Sequence, residues 1–152
     1  MKIAEYLKEH DVQFESHEHI PAYTAQEIAA EEHVSGSRLA KAVVVKGSKG
    51  FAMCVLPACC KLDLEKVAKS LKEKTVRLAD ENEMAELFKD AEVGAEPPFG
   101  NLYDLPTLVD LRLSKEDRIV FQAGSHREAI CMNYCDYAKL VSPSIADLAI
   151  HL

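Results

Sequence analysis

Apolar and polar positions follow two rhythms along this chain. Ile3, Tyr6 and Leu7 recur at helical spacing and predict a short first helix. Val12, Phe14 and Ser16 have the spacing of an extended segment, which runs into His17-Glu18-His19. Thr24 followed by Glu27 is a capping-box pattern, predicting a second helix with Ala25, Ile28 and Ala29 on one face. Residues 39–46 read LAKAVVVK, Gly47-Ser48-Lys49-Gly50 is a turn signal, and Phe51 to Leu56 is apolar on both faces. Together they predict a β-hairpin whose second strand lies inside a sheet.

Asp63 is placed to cap a helix in which Leu64, Val67, Ala68 and Leu71 share a face. A short strand is expected over Thr75 to Ala79, and Asp80 opens a helix with Met84, Leu87, Phe88 and Ala91 turned inward. VGAEPPFGNLYDLP, over 93–106, has no usable period and reads as a loop. Leu108–Leu113, Arg118–Ala123 and Ala129–Met132 read as strands, and Tyr134–Leu140 as a helix. Ile145, Leu148, Ala149 and Leu152 predict a final helix after Ser144. The pattern amounts to about six strands and five or six helices. The expected fold class is mixed α/β (α+β), in a single domain over 1–152.

Composition narrows the class. The chain has 152 residues, 48% hydrophobic and 28% charged, enough for a core that needs no covalent or metal staple. No apolar run approaches the roughly 20 residues of a membrane span, and MKIAEYLKEHD lacks the apolar centre of a signal peptide. The five cysteines are odd in number, and three sit in apolar runs. A reducing, cytoplasmic setting is therefore expected. A net charge of −7 argues against a protein that grips nucleic acid over its whole surface. Locally the balance reverses: six basic residues between Lys61 and Arg77 face three acidic ones. Lys66, Lys69 and Lys72 share a helix face, either a solvated one or a small footprint for an RNA backbone.

Three places could carry chemistry. Lys41 lies in line with Val43 and Val45, either snorkelling from a strand end or standing at a pocket wall toward an anionic group. Gly94-Ala95-Glu96-Pro97-Pro98-Phe99-Gly100 is either a structural turn or a backbone cradle whose N–H groups face an oxyanion. Gly124-Ser125-His126 is a turn at a strand end, without the geometry of a serine nucleophile and its base. The cysteines and histidines lack the spacing of a zinc site, and nothing marks a base for a cysteine nucleophile. No metal or other cofactor is expected.

In combination these pieces are more specific. LAKAVVVKG around Lys41, GAEPPFG at 94–100 and AGSHREAICMNYCDYAKLV at 123–141 stand in the order of a known family. The chain resembles the YbaK/prolyl-tRNA synthetase editing-domain family of aminoacyl-tRNA deacylases over nearly its whole length. Gly94, Pro98 and Gly100 are in register with that family's GxxxPxG loop. The resemblance implies a partly barrel-like central sheet with helices around it, and a pocket for the charged 3′ end of tRNA. It implies catalytic roles for Lys41, beside the terminal adenosine and its phosphate, and for Gly94, whose loop holds the aminoacyl carbonyl. Tyr23, Ala42, Pro98, Phe99, Gly100, Gly124, Ser125 and His126 would contact substrate. Ala42 stands where relatives carry Thr or Asn, and Glu96 and Pro97 are uncommon loop fillings; these departures bear on amino acid specificity.

An aminoacyl ester is already activated, so a bound water, a held carbonyl and backbone donors are sufficient machinery. Each such donor is worth about 3–4 kcal/mol at the transition state. The expected function is trans-editing hydrolysis of a mischarged small amino acid from tRNA, with a synthetase as a further partner. The alternative is a non-catalytic module that binds a tRNA end or an aminoacyl-adenosine. A metal- or thiol-dependent hydrolase is the third class.

Overall fold

The computed structural model describes residues 2–19 and 35–152. Tyr23, Thr24 and the helix expected to follow lie outside these residues. Helix α1 (Ile3–Glu9) buries Ile3, Tyr6 and Leu7, the predicted stripe. Strand β1 (Phe14–Glu18) follows. The hairpin of β2 (Ala40–Gly47) and β3 (Gly50–Pro57) pairs from Ala40 opposite Pro57 to Gly47 opposite Gly50. Gly50 has φ +120°, which accounts for glycine at the close of this tight turn.

Strand β3 is interior, antiparallel to β2 and parallel to β6 (Thr107–Asp110). That position explains its unbroken apolar run, since both faces are covered. On one face Met53 and Val55, with Val44 of β2, join Leu7, Phe99, Phe121 and Tyr137 in the main core. On the other, Val45 and Cys54 pack with Val67 of α2 (Leu64–Leu71). Asp63 caps α2 as expected, its carboxylate accepting from Glu65 N–H at 3.0 Å and Lys66 N–H at 3.3 Å.

Strand β4 is Cys60–Leu62. The strand expected over 75–79 is shortened to β5 (Arg77–Leu78), an edge strand paired with β2 over two residues. Helix α3 (Glu81–Leu87) is opened by Asp80 in a full capping box with Glu83. It ends before Phe88, so Ala91 lies beyond the helix while Phe88 is buried. Strands β7 (Arg118–Gln122) and β8 (Glu128–Asn133) and helix α4 (Tyr134–Val141) fall where the pattern put them.

The C-terminal segment departs from expectation. Instead of a helix it forms β9 (Ser144–Ala146), parallel to β6, and β10 (Ala149–His151), antiparallel to β4. Leu148 and Ala149 are buried, but Ile145 and Leu152 of the apparent helical stripe are 55% and 77% exposed. Leu148 N–H donates to the buried Asp110 carboxylate at 2.9 Å, a bond unavailable to a helical turn whose donors face the preceding carbonyls.

Among the described residues there are four α-helices and ten short strands, in a mixed α+β domain. The larger sheet runs β5-β2-β3-β6-β9, a second runs β1-β8-β7, and β10 pairs with β4. A single parallel bridge, Leu39 to Val120, joins the first two. The expected barrel-like sheet is not closed. No helix among these residues is long and apolar enough to cross a membrane.

Candidate functional site

The loop after α3 and the turn between β7 and β8 form one unit. Glu92 N–H donates to Gly124 O at 2.8 Å, and Gly124 N–H returns a bond to Ala95 O at 2.9 Å. Both glycines have positive φ, +89° at Gly94 and +96° at Gly124, a backbone conformation that other residues resist. His126 is buried beneath this junction. Its Nε2 lies 2.9 Å from Val93 O and its Nδ1 lies 3.4 Å from the Gln122 amide nitrogen. A carbonyl can only accept and an amide NH₂ can only donate, so these partners assign the Nε2–H tautomer. The imidazole is also close under Gly94: a Cβ there would meet His126 Cε1 at 3.4 Å.

Downstream, the loop is built inward. Residues 95–100 are all buried, whereas Gly94 itself is exposed. Tyr137 donates its hydroxyl to Pro98 O at 2.6 Å from within the core. Burial also drives the Tyr137 pKa upward, keeping that hydroxyl a donor. Phe99 packs edge-on against Phe121 and Tyr137, with ring centroids 5.4 and 5.1 Å away. Its ring is part of the main core. Gly100 has no room for a side chain, because a Cβ would collide with Thr107 and with Leu105 O. Glycine there lets the chain turn into the 3₁₀ segment Gly100–Tyr103.

Glu96 adds a feature that motif reading did not supply. Its Oε1 accepts the Gly94 N–H at 2.9 Å, so the loop carries its own carboxylate on a donor otherwise suited to an oxyanion. Gln122, against His126, and Tyr137, against Pro98, were also missed as supports. The cue for Gln122 is a polar residue closing the apolar run Ile119–Phe121; Tyr137 has none, since helical tyrosines are ordinary core residues.

Lys41 is elsewhere in this framework. Strand alternation sets it with Val43 and Val45, whereas Val44 faces the core that holds Phe99. Its Nζ donates to Cys60 O at 2.8 Å. Burial lowers its pKa, an effect partly opposed by the nearby Cys60 and Cys59. Ala42, on the Val44 side, is a partly buried neighbour of the main core. The structure thus brings together Gly94, Gly124 and His126, but the recorded bond of Lys41 runs to β4. A cavity of about 500 Å³ borders the loop and turn through Pro97, Gly124 and Ser125, with Tyr103 and Asp90. Tyr103 donates to Asp90 at 2.9 Å there.

All five cysteines are free thiols. Burial raises Cys54 to about 12 and, helped by Cys59, Cys60 to about 11. Both are poor thiolate nucleophiles at neutral pH. Among the described residues no three His, Cys, Asp or Glu side chains are grouped to hold a metal.

This α+β framework recurs in solved structures. The hypothetical protein APE2540 superposes with a TM-score of 0.89 at 23% identity, over 99% of this chain and 100% of its own. A protein described as a candidate trans-editing enzyme for prolyl tRNA synthetase gives 0.85 at 22% identity, over 97% and 94%. A protein from Marinobacter aquaeolei VT8, described as a candidate signal transduction protein, gives 0.78 at 17% identity. The match covers 97% of this chain and 30% of that one, so the same fold also occurs as part of a longer polypeptide. At these identities the likeness establishes the fold. The family model for the aminoacyl-tRNA editing domain matches residues 19–140, and the chain belongs to that family.

Proposed function

We propose that this chain, acting as one editing domain over 1–152, is a trans-editing aminoacyl-tRNA deacylase in the cytoplasm. Its substrate would be a mischarged small amino acid of the alanine, serine or cysteine class, esterified to the 3′ end of tRNA. The observation that carries the reading is the joining of the Gly94 loop to the Gly124–His126 turn through reciprocal backbone bonds and the His126–Val93 contact. That junction holds the loop backbone still before a substrate arrives, as preorganised stabilisation of an oxyanion requires, and the Gly94 N–H would exchange Glu96 for the substrate oxygen.

In this mechanism the exposed Gly94 segment accepts the aminoacyl carbonyl, and Gly124 and Ser125 border the adjoining space. His126 acts as a positioning residue beneath the loop. Pro98 and Gly100 set the loop's path, and Phe99 anchors it. Lys41 offers an ammonium to the terminal phosphate, and Ala42 and Tyr23 contact the adenosine end. The substrate's own hydroxyl or amine assists the attacking water. Pocket size selects the amino acid, with each methylene worth about 1–3 kcal/mol. A synthetase would supply further tRNA affinity.

Glu96 supports a second reading, a module that binds the tRNA end without turnover, because its carboxylate already occupies the Gly94 N–H. Purified protein incubated with Ala-, Ser-, Cys- and Pro-charged tRNAs decides between them. Loss of ester from one of the first three supports the deacylase. Binding of every charged tRNA with no loss of ester would leave the second reading standing.

A further inference from the structure

Lys46, Lys49, Lys72, Lys74 and Arg77 line a single cleft of about 600 Å³ between the β2–β3 turn and the segment leaving α2. This is not the Lys66, Lys69 and Lys72 helix face, which the sequence left open between a solvated surface and a small RNA footprint. Lys66 is tied to both oxygens of Asp147 at 3.1 Å and to Ala149 O at 3.0 Å. Lys72 leaves the helix at its left-handed C-cap, with φ +58°.

Charge within the cleft is poorly compensated. Among its described lining residues Glu73 is the sole carboxylate, and it is engaged by the turn: Ser48 Oγ–H donates at 2.6 Å and Lys49 N–H at 3.1 Å. Arg77 and Lys46 share Glu83, outside the lining. Lys49, whose charge helps lower the Glu73 pKa, is exposed, as are Lys72 and Lys74, and none of the three is within salt-bridge distance of a carboxylate among the described residues. By contrast Arg38, Lys66, Arg112 and Arg118 each face a carboxylate. A chain of net charge −7 therefore gathers uncompensated positive charge in one concave place.

We propose that this cleft binds the phosphate backbone of RNA, and specifically the stem of the tRNA whose 3′ end the editing loop receives; in that identification it rests on the function proposed above. The lining favours a phosphate chain over an acidic protein. Apart from its cations it consists of small or polar residues and Val76, with no aromatic or large apolar anchor of the kind that carries protein interfaces. Phosphate contacts need only cations and N–H donors. Lys46 follows Lys41 along β2 by five residues, about 17 Å of strand, and alternation sets the two on opposite faces of the sheet, so the cleft and Lys41 would meet different stretches of the RNA.

The test is binding of uncharged tRNA to the full chain across a salt series. The triple variant Lys49→Glu, Lys72→Glu, Lys74→Glu is compared with a charge-matched control, Lys8→Glu, Lys115→Glu, Lys139→Glu, on other elements. Cleft reversal is expected to weaken binding at least about thirtyfold and to lower the salt slope by about 2–3, at roughly 0.7–0.9 per phosphate contact. The control should change Kd by less than about threefold. The milder Lys49→Ala, Lys74→Ala pair should lose about two-thirds as much slope, and it carries the test if the triple variant fails to fold. Unchanged affinity, or equal loss in the control, overturns the proposal. Competition by a polyglutamate peptide as strong as that by tRNA overturns the RNA assignment. Because the tRNA is uncharged, a cleft effect without ester hydrolysis would refute the deacylase alone, and hydrolysis without a cleft effect would refute the cleft alone.

Discussion

His126 Nε2 lies 2.9 Å from the carbonyl oxygen of Val93, the residue immediately before Gly94. One side chain from the β7–β8 turn thus fixes the entrance of a loop that lies more than thirty positions earlier in the chain. His126→Ala removes that donor and the ring beneath Gly94. If the loop is the oxyanion cradle, kcat should fall about 10–100-fold, with KM changed much less. Steady-state kinetics on the preferred aminoacyl-tRNA reads this split, and a kcat equal to wild type contradicts the role.

Tyr137 supports the same loop from the opposite side through Pro98 O at 2.6 Å. Tyr137→Phe keeps the ring against Phe99 and strands a buried carbonyl, at a cost of about 1–3 kcal/mol. Urea denaturation should show this as a lower midpoint at constant m-value. A smaller loss would mean that the loop relaxes onto another donor.

Lys41 is a sharper case, because its bond to Cys60 O is structural. Lys41→Ala should cost only about 0.5–1.5 kcal/mol of stability, since relief from burying an ammonium offsets the lost bond. If it meets the terminal phosphate, catalytic efficiency should nevertheless drop about a hundredfold. Near-wild-type turnover would confine Lys41 to holding β4.

Glu96 competes with substrate for the Gly94 N–H under the proposed mechanism. Glu96→Gln keeps an acceptor but weakens a charge-assisted bond by roughly half. A rise in kcat/KM of about threefold or more is expected. A fall instead would assign the carboxylate a positive part in catalysis.

The buried thiols define an alkaline limit. Their folded pKa values, about 12 for Cys54 and about 11 for Cys60, lie above the ordinary 9.0. Their contribution to stability is complete below that ordinary value and is lost as pH rises toward the folded ones. Urea midpoints should fall as pH rises from about 9 toward about 11, less steeply in Cys54→Ala. At neutral pH iodoacetamide should modify exposed Cys135 before either buried thiol, without loss of deacylation. Inactivation that tracks modification of Cys60 would revive a thiol mechanism.

Much of this molecule is readable from local pattern. The first helix, the β2–β3 hairpin, the Asp63 and Asp80 caps and the β7–β8 pair each announce themselves through spacing or capping chemistry acting within a few residues. So do the glycines of the loop and turn, which positive φ demands. Long-range partners settled the rest. Residues 144–152 carry helical spacing, yet they pair with β6 and β4, whose exposed edges offered more hydrogen bonds than an isolated helical turn. Nothing in the spacing around Phe99 announces the three aromatic rings of Tyr6, Phe121 and Tyr137 that pack against it. The lysines of α2 looked like one face until Asp147 claimed Lys66 and the C-cap turned Lys72 toward the hairpin. Sequence alone determined which segments could become strands, helices and tight turns, because those choices depend on neighbours along the chain. Tertiary structure alone decided which side chains meet, since contact, burial and charge compensation depend on residues that only folding makes adjacent.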